Sequence, residues 1–203
     1  MYIPKHFRVE QEEELLSFMQ AYSFATIVTT RDNLPVASHL PFSVFRREGK
    51  IILGAHFAKA NPQWEHIDKG KVLVIFSEPH AYISPKHYDR QESVPTWNYI
   101  AVHAYGTAVR ITDTASVMEM LEGMIDQYEP DYKQQWNGLS ADYKLKMING
   151  IVAFEILVEE LQAAEKLSQN KSLPEQKRIS DSLSASSLET ERKIAEYMRR
   201  NLD

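Results

Sequence analysis

Val94-Pro95-Thr96-Trp97-Asn98-Tyr99-Ile100-Ala101-Val102-His103-Ala104-Tyr105-Gly106 alternates with a period of two. One face carries Trp97, Tyr99, Ala101, His103 and Tyr105. The other carries Asn98, Ile100, Val102 and Ala104 and ends at Gly106. A strand with two unlike faces normally has one side in a core and the other in water. Here the face opposite Ile100 and Val102 is aromatic and polar rather than charged. Such a surface suits a flat ligand or a second subunit better than bulk solvent. A strand simply covered on both sides fits the same periodicity.

The neighbouring segments extend this into a sheet. Residues 24–30 are β-branched and aromatic, and Arg31-Asp32-Asn33 turns the chain into residues 35–45. A second turn at 46–50, with Gly49, leads into 51–55, so the three segments read as an antiparallel meander. Residues 71–77 (KVLVIFS) read as a strand buried on both faces, 81–84 extend the sheet, and 94–112 form one long strand. Residues 151–158 (IVAFEILV) return to it. Helices are expected at 9–22, 58–68, 114–128, within 131–149, and at 189–201. Strands outnumber helices without strict alternation, which predicts an α+β, mainly β, domain built on an antiparallel sheet or barrel.

Bulk composition excludes several chemistries. The 203 residues include no cysteine, so disulfides, thiolate nucleophiles and iron–sulfur ligation are ruled out. Net charge is −5, which argues against a chain-wide attraction to nucleic acid or anionic membrane. The N-terminal residues Met1-Tyr2-Ile3-Pro4-Lys5-His6 contain no apolar leader run, and a cytoplasmic protein is expected. The seven histidines show no metal-ligand spacing, and no nucleophile elbow or glycine-rich phosphate loop occurs, so neither a metal nor a catalytic residue is assigned.

Four stretches could carry chemistry. His56-Phe57-Ala58-Lys59-Ala60-Asn61-Pro62-Gln63-Trp64 lies at a strand-to-helix junction, where free amides and the Lys59 charge would favour an anion such as phosphate. An ordinary helix cap reads equally well. In Ala37-Ser38-His39-Leu40-Pro41-Phe42, Pro41 cannot donate to a central ladder, which points to an edge, a bulge or a ligand-lined strand. Glu78-Pro79-His80 and the following His87 and Tyr88 could supply an acid–base pair, although no spacing fixes His80 against a carboxylate. Lys166-Leu167-Ser168-Gln169-Asn170-Lys171 is rich in donors and acceptors, or is a polar exit loop.

Together MYIPKHF, ASHLPF, HFAKANPQW, PHAYISP, VPTWNYIAVHAYG and KLSQNKS resemble the PaiB proteins. These are FMN-binding negative transcriptional regulators of the split-barrel flavin fold, related to pyridoxamine-phosphate oxidases. The motifs run in matching order from residue 1 to about 172. The resemblance implies an FMN-binding split β-barrel of six antiparallel strands at 1–172, with a helical extension at 173–203 packed on it. It also implies a homodimer with FMN in the groove between subunits. Carried over motif by motif, Lys59 and Asn61 would hold the FMN phosphate, with His56 and Trp64 in the same motif. His39, Leu40 and Pro41 would lie along the isoalloxazine ring. Trp97, Asn98 and Tyr99 would close the site, and Ser168, Gln169 and Asn170 match the place of C-terminal contacts. Position 59 is lysine where arginine also occurs in the family, which keeps the charge but loses the bidentate fork.

The function so implied is negative regulation of protease and sporulation genes, without turnover. No helix-turn-helix stands out in the acidic chain, and Arg46-Arg47, Lys177-Arg178, Arg192-Lys193 and Arg199-Arg200 are its only basic clusters for DNA. A flavin-dependent oxidoreductase, and a dimeric barrel that binds no flavin or a different ligand such as haem, are the alternatives the residues leave open.

Overall fold

The computed structural model describes residues 1–202, which form two compact units. The larger comprises Leu16–Phe76 and His103–Leu161. The smaller comprises Met1–Leu15, Ser77–Val102 and the chain from Gln162 onward. Among the described residues no helix is long and apolar enough to cross a membrane.

The larger unit holds β1 (Phe24–Arg31), β2 (Leu34–Pro41), β3 (Ser43–Arg47), β4 (Lys50–Ala58) and β5 (Lys71–Phe76). It also holds the later part of β7 (Thr96–Arg110) and most of β8 (Ile151–Lys166). The sheet order is β2-β1-β5-β7-β8-β4-β3, so β2 and β3 are its two ends. Four buried phenylalanines fill its core: Phe57 stacks on Phe154 at 4.9 Å, and Phe42 meets Phe76 and Phe154 edge-on. Gly106 is demanded by a close approach: a Cβ there would sit 2.8 Å from Ile156 Cγ2 and against the Leu157 carbonyl of β8.

Among the described residues the sheet has eight strands where six were expected: the short β3 pairs at one end and β6 (His80–Ile83) pairs with β7 off the main path. The expected meander is interrupted as well. Pro41 ends β2, and the next amide, Phe42 N–H, donates to the Ser23 carbonyl at 2.9 Å while the Phe42 ring enters the core. The chain restarts as β3, which pairs with β4 and not with β2. β5 is also less enclosed than its apolar run suggests. Val72, Val74 and Phe76 are buried, but Leu73 and Ile75 are only half-buried.

Helix α1 (Glu12–Ala21) buries Leu15, Phe18 and Met19. In the larger unit α2 (Thr114–Tyr128) is capped by Asp113, whose carboxylate accepts from Ser116 N–H at 2.8 Å. The single helix expected within 131–149 is two, α3 (Tyr132–Gly138) and α4 (Ala141–Ile148), because Ser140 caps a fresh start after Gly138. The helix expected at 58–68 is reduced to a 3-10 turn, Pro62–His66, with Ile67 fully buried beyond it.

The smaller unit is built on β6 (His80–Ile83) paired antiparallel with the start of β7, and on two helices, α5 (Leu173–Ser184) and α6 (Glu189–Arg200). Sequence polarity hides α5. A capping box starts it, with Ser172 accepting from Glu175 N–H and Glu175 accepting from Ser172 N–H. Ile179 and Leu183 are then buried, as are Ile194, Ala195 and Met198 of α6.

Candidate functional site

In the larger unit the candidate residues gather where the end strand β2 meets the exit of β4. The chain leaves β4 at Ala58, and Lys59 N–H donates to the Gly150 carbonyl at 2.8 Å. Asn61 then works in two directions. Its side-chain oxygen accepts from Gln63 N–H at 3.0 Å, and its amide donates to Ser38 Oγ on β2 at 2.9 Å. Ser38 completes the ring by donating to Gln63 Oε1 at 2.6 Å. Gln63 is almost wholly buried, and its amide also donates to the Val36 carbonyl at 3.0 Å and to Thr29 Oγ1 at 3.1 Å. A buried amide so fully bonded ties β1, β2 and the 3-10 turn into one rigid corner.

Around this corner lie exposed groups. Lys59 is exposed and makes no ion pair among the described residues. The Trp64 indole donates to the Lys59 carbonyl at 3.0 Å, and the Arg110 guanidinium lies 5.8 Å from the Trp64 ring centroid while paired to Asp68 at 2.7 Å. On β2, His39 is exposed, with Nδ1 2.9 Å from Thr26 Oγ1 and its ring stacked near Phe24. Leu40 and Pro41 follow, half-buried, opposite Ala25 and Phe24. β2 has β1 on one side and no strand on the other, so one edge keeps its backbone groups available. The expected free helix amides are fewer than the sequence suggests, since Gln63 N–H is taken by Asn61.

His56 behaves differently. It sits on β4 opposite Ala153 and lines an apolar cavity of about 270 Å³ with Met124, Tyr128 and Trp136. Its Nδ1 is buried without a hydrogen-bond partner, and burial lowers its pKa from the ordinary histidine value.

The smaller unit holds the other candidates. Trp97 is 52% exposed and stands between His80 and Tyr82 of β6, with ring centroids at 5.9 and 5.8 Å. Tyr99, on the same face, is half-buried opposite His80. Asn98 points the other way and is fully buried. It accepts from Ser168 Oγ–H at 3.0 Å and donates to Met198 Sδ at 3.6 Å. Ser168 adopts a left-handed backbone (φ 63°). Gln169 closes the same loop, accepting from Leu167 N–H at 2.7 Å and donating to the Glu165 carbonyl at 2.6 Å. Asn170 is exposed. Asn98, Ser168 and Gln169 therefore direct their side chains inward, while Trp97, Tyr99 and Asn170 remain accessible. His80 lies only loosely against Glu78, at 3.7 Å with both half-exposed, a weak arrangement for an acid–base pair.

Sequence reasoning missed Gln63 as the organiser of the corner. The signal was the Asn61-Pro62-Gln63 run, a cap followed by a fixed turn that aims the third side chain back at the sheet.

Residues 1–160 match a family described as "Putative FMN-binding domain". The chain belongs to this FMN-binding domain family. It is also 40% identical over its full length, and over 98% of the relative's, to "Protease synthase and sporulation protein PAI 2" of Bacillus subtilis (strain 168), in line with the PaiB resemblance. Among solved structures it is similar to the "FAD and Heme binding protein from Mycobacterium smegmatis", with TM-score 0.62, 18% identity, and 78% of this chain and 73% of that one covered. The "Flavocytochrome Anf3 from Azotobacter vinelandii" matches with TM-score 0.63 and 17% identity over 81% of this chain and 72% of that one. The open, mainly antiparallel sheet of this family member is the FMN-binding split barrel, and FMN is the cofactor that goes with it.

Proposed function

We propose that this chain is a PaiB-type flavin-binding regulator, a negative regulator of protease and sporulation genes. It acts as a homodimer with FMN at the subunit seam and turns over no substrate. The observation that carries the reading is the unpaired Lys59 ammonium beside the Ser38–Asn61–Gln63 corner. A rigid corner with one uncompensated cation is suited to a phosphate, and Lys59 would hold the FMN phosphate there with Trp64 bracing its backbone. His39, Leu40 and Pro41, on a strand with one edge open, would run along the isoalloxazine ring and offer it backbone and imidazole hydrogen bonds. Bound FMN supplies a redox- and light-absorbing ring; the chain supplies its orientation.

Trp97 and Tyr99 present an aromatic face that would meet the partner subunit, where aromatic side chains are favoured. The name of the PAI 2 relative, "Protease synthase and sporulation protein", supports the link to protease production and sporulation. The experiment is a visible spectrum of the purified, FMN-reconstituted chain together with promoter-DNA binding at several salt concentrations. A stoichiometric flavin spectrum, and salt-sensitive binding that random DNA does not compete away, agree with the reading. Steady NAD(P)H consumption with an identified acceptor and no DNA preference would replace it with the oxidoreductase.

A further inference from the structure

The smaller unit contains a cavity of about 330 Å³, within the range of small-molecule sites. Its basic wall is formed by Lys166, at the end of β8, and by Lys171, just before α5. Among the described residues no aspartate or glutamate lines it. Both ammonium groups rest near aromatic rings, and Lys171 is also within electrostatic reach of one carboxylate that does not line the cavity. Lys171 Nζ is 3.7 Å from the Tyr88 ring centroid, and Lys166 Nζ is 6.0 Å from that of Phe7 while bonded to Thr96 Oγ1. The carboxylate whose charge Lys171 influences, Glu175, is already engaged. It accepts from Asp89 N–H at 3.0 Å and from the Ser172 amide and hydroxyl at 2.9 Å.

The third feature is Tyr88, which also lines the cavity. Its hydroxyl oxygen is buried with no hydrogen-bond partner. A buried hydroxyl left unpaired is unfavourable, and two like charges facing one small cavity repel. Cation–π contacts offset part of this but leave the ammonium hydrogens and the phenol proton available. The two ammonium groups and the unpartnered hydroxyl are all hydrogen-bond donors, and together they suit a negatively charged acceptor. Phe7, Val94 and Pro95 supply an apolar wall beside it.

We propose that this cavity binds a small organic acid, its carboxylate or phosphoryl head held by Lys166, Lys171 and the Tyr88 hydroxyl, and its flat apolar body set against Phe7, Val94 and Pro95. The lining lies wholly within the smaller unit and includes Ser168 and Asn170, which the PaiB resemblance assigns to cofactor contacts; here they serve an effector instead of the flavin.

The test is calorimetric titration of the full chain, with FMN in excess, by phenyl phosphate, benzoate and the neutral benzyl alcohol. At least one acid should bind once per chain and at least tenfold more tightly than benzyl alcohol, and whichever acid is tighter identifies the head group. Lys166→Gln and Lys171→Gln should each weaken that acid tenfold or more and leave FMN binding unchanged. On the unsubstituted chain, the same acid should slow reductive methylation of Lys166 and Lys171 but not of exposed Lys86. Saturation by neither acid at millimolar concentration would overturn the proposal. So would unchanged binding in both variants, or loss of acid binding when FMN is added, which would make the cavity part of the flavin site.

Discussion

The two candidate regions are built alike at their centres and differently at their surfaces. Each is organised by a buried side-chain amide, Gln63 in the larger unit and Asn98 in the smaller. Gln63 joins two strands and a turn, and the exposed group left beside it is a cation, Lys59. Asn98 joins a strand to the Ser168 loop and to α6, and the exposed group on the opposite face is an indole, Trp97. In both places the fully bonded residue positions and its exposed neighbour is free to bind. One region is suited to an anion and the other to an apolar partner surface.

That contrast can be broken most forcefully at Gln63. Gln63→Leu leaves the Ser38 hydroxyl without its acceptor and removes the amide's bonds to the Val36 carbonyl and Thr29 Oγ1, and should cost about 2–3 kcal/mol of stability, or roughly 4–12 °C in Tm. FMN and riboflavin affinity should fall together, since the strand along the ring loosens. A melt like that of the unsubstituted chain would remove Gln63 as the organiser. Asn98→Leu is the matched change in the other unit. It leaves the Ser168 hydroxyl without its acceptor and should cost about 1–2 kcal/mol, while flavin affinity stays the same. A specific loss of flavin affinity would place Asn98 on the cofactor and erase the contrast.

Trp97→Ala should change folding stability by less than about 1 kcal/mol, since the ring is half in solvent, yet shift the chain toward monomer in sedimentation. A variant as dimeric as the parent would take the aromatic face out of the interface. The smallest effect concerns His56. Its pKa is lowered in the folded state, so the unfolded chain binds the extra proton first. The fold should lose stability as pH falls below about 6.5, the unperturbed histidine value. His56→Gln should flatten that slope. His87 and His103 shift in the same direction through burial, so part of the slope should survive.

Much of this was legible in the sequence wherever a single periodicity ruled. The alternation of β7 placed Trp97 outward and Asn98 among Ile100 and Val102, and the structure buries Asn98 completely. The bounds of α2 were readable because its apolar stripe is uninterrupted and acidic Asp113 caps it. β8 runs past the expected 151–158 because Glu159 and Glu160, which look like a break in the sequence, continue the strand. In the fold Glu159 stays in the strand, accepting from Thr107 Oγ–H at 2.6 Å and paired with Lys71. α5 was hidden because its buried face includes Gln176 and Ser180, whose polarity masks the helical stripe. Hydrophobic periodicity misses Gln63 for the same reason, since a residue buried by its hydrogen bonds does not look buried, and only the Asn61-Pro62-Gln63 cap points to it.

The central claim is that Lys59 holds the phosphate of FMN. It is tested most directly by comparing FMN with riboflavin affinity in the parent chain and in Lys59→Ala, by flavin fluorescence quenching. A lost charge-assisted contact is worth about 1.5–3 kcal/mol, or roughly 10- to 150-fold in Kd. The account predicts that loss for FMN and an unchanged Kd for riboflavin. Equal losses for both flavins, or none for either, would contradict it.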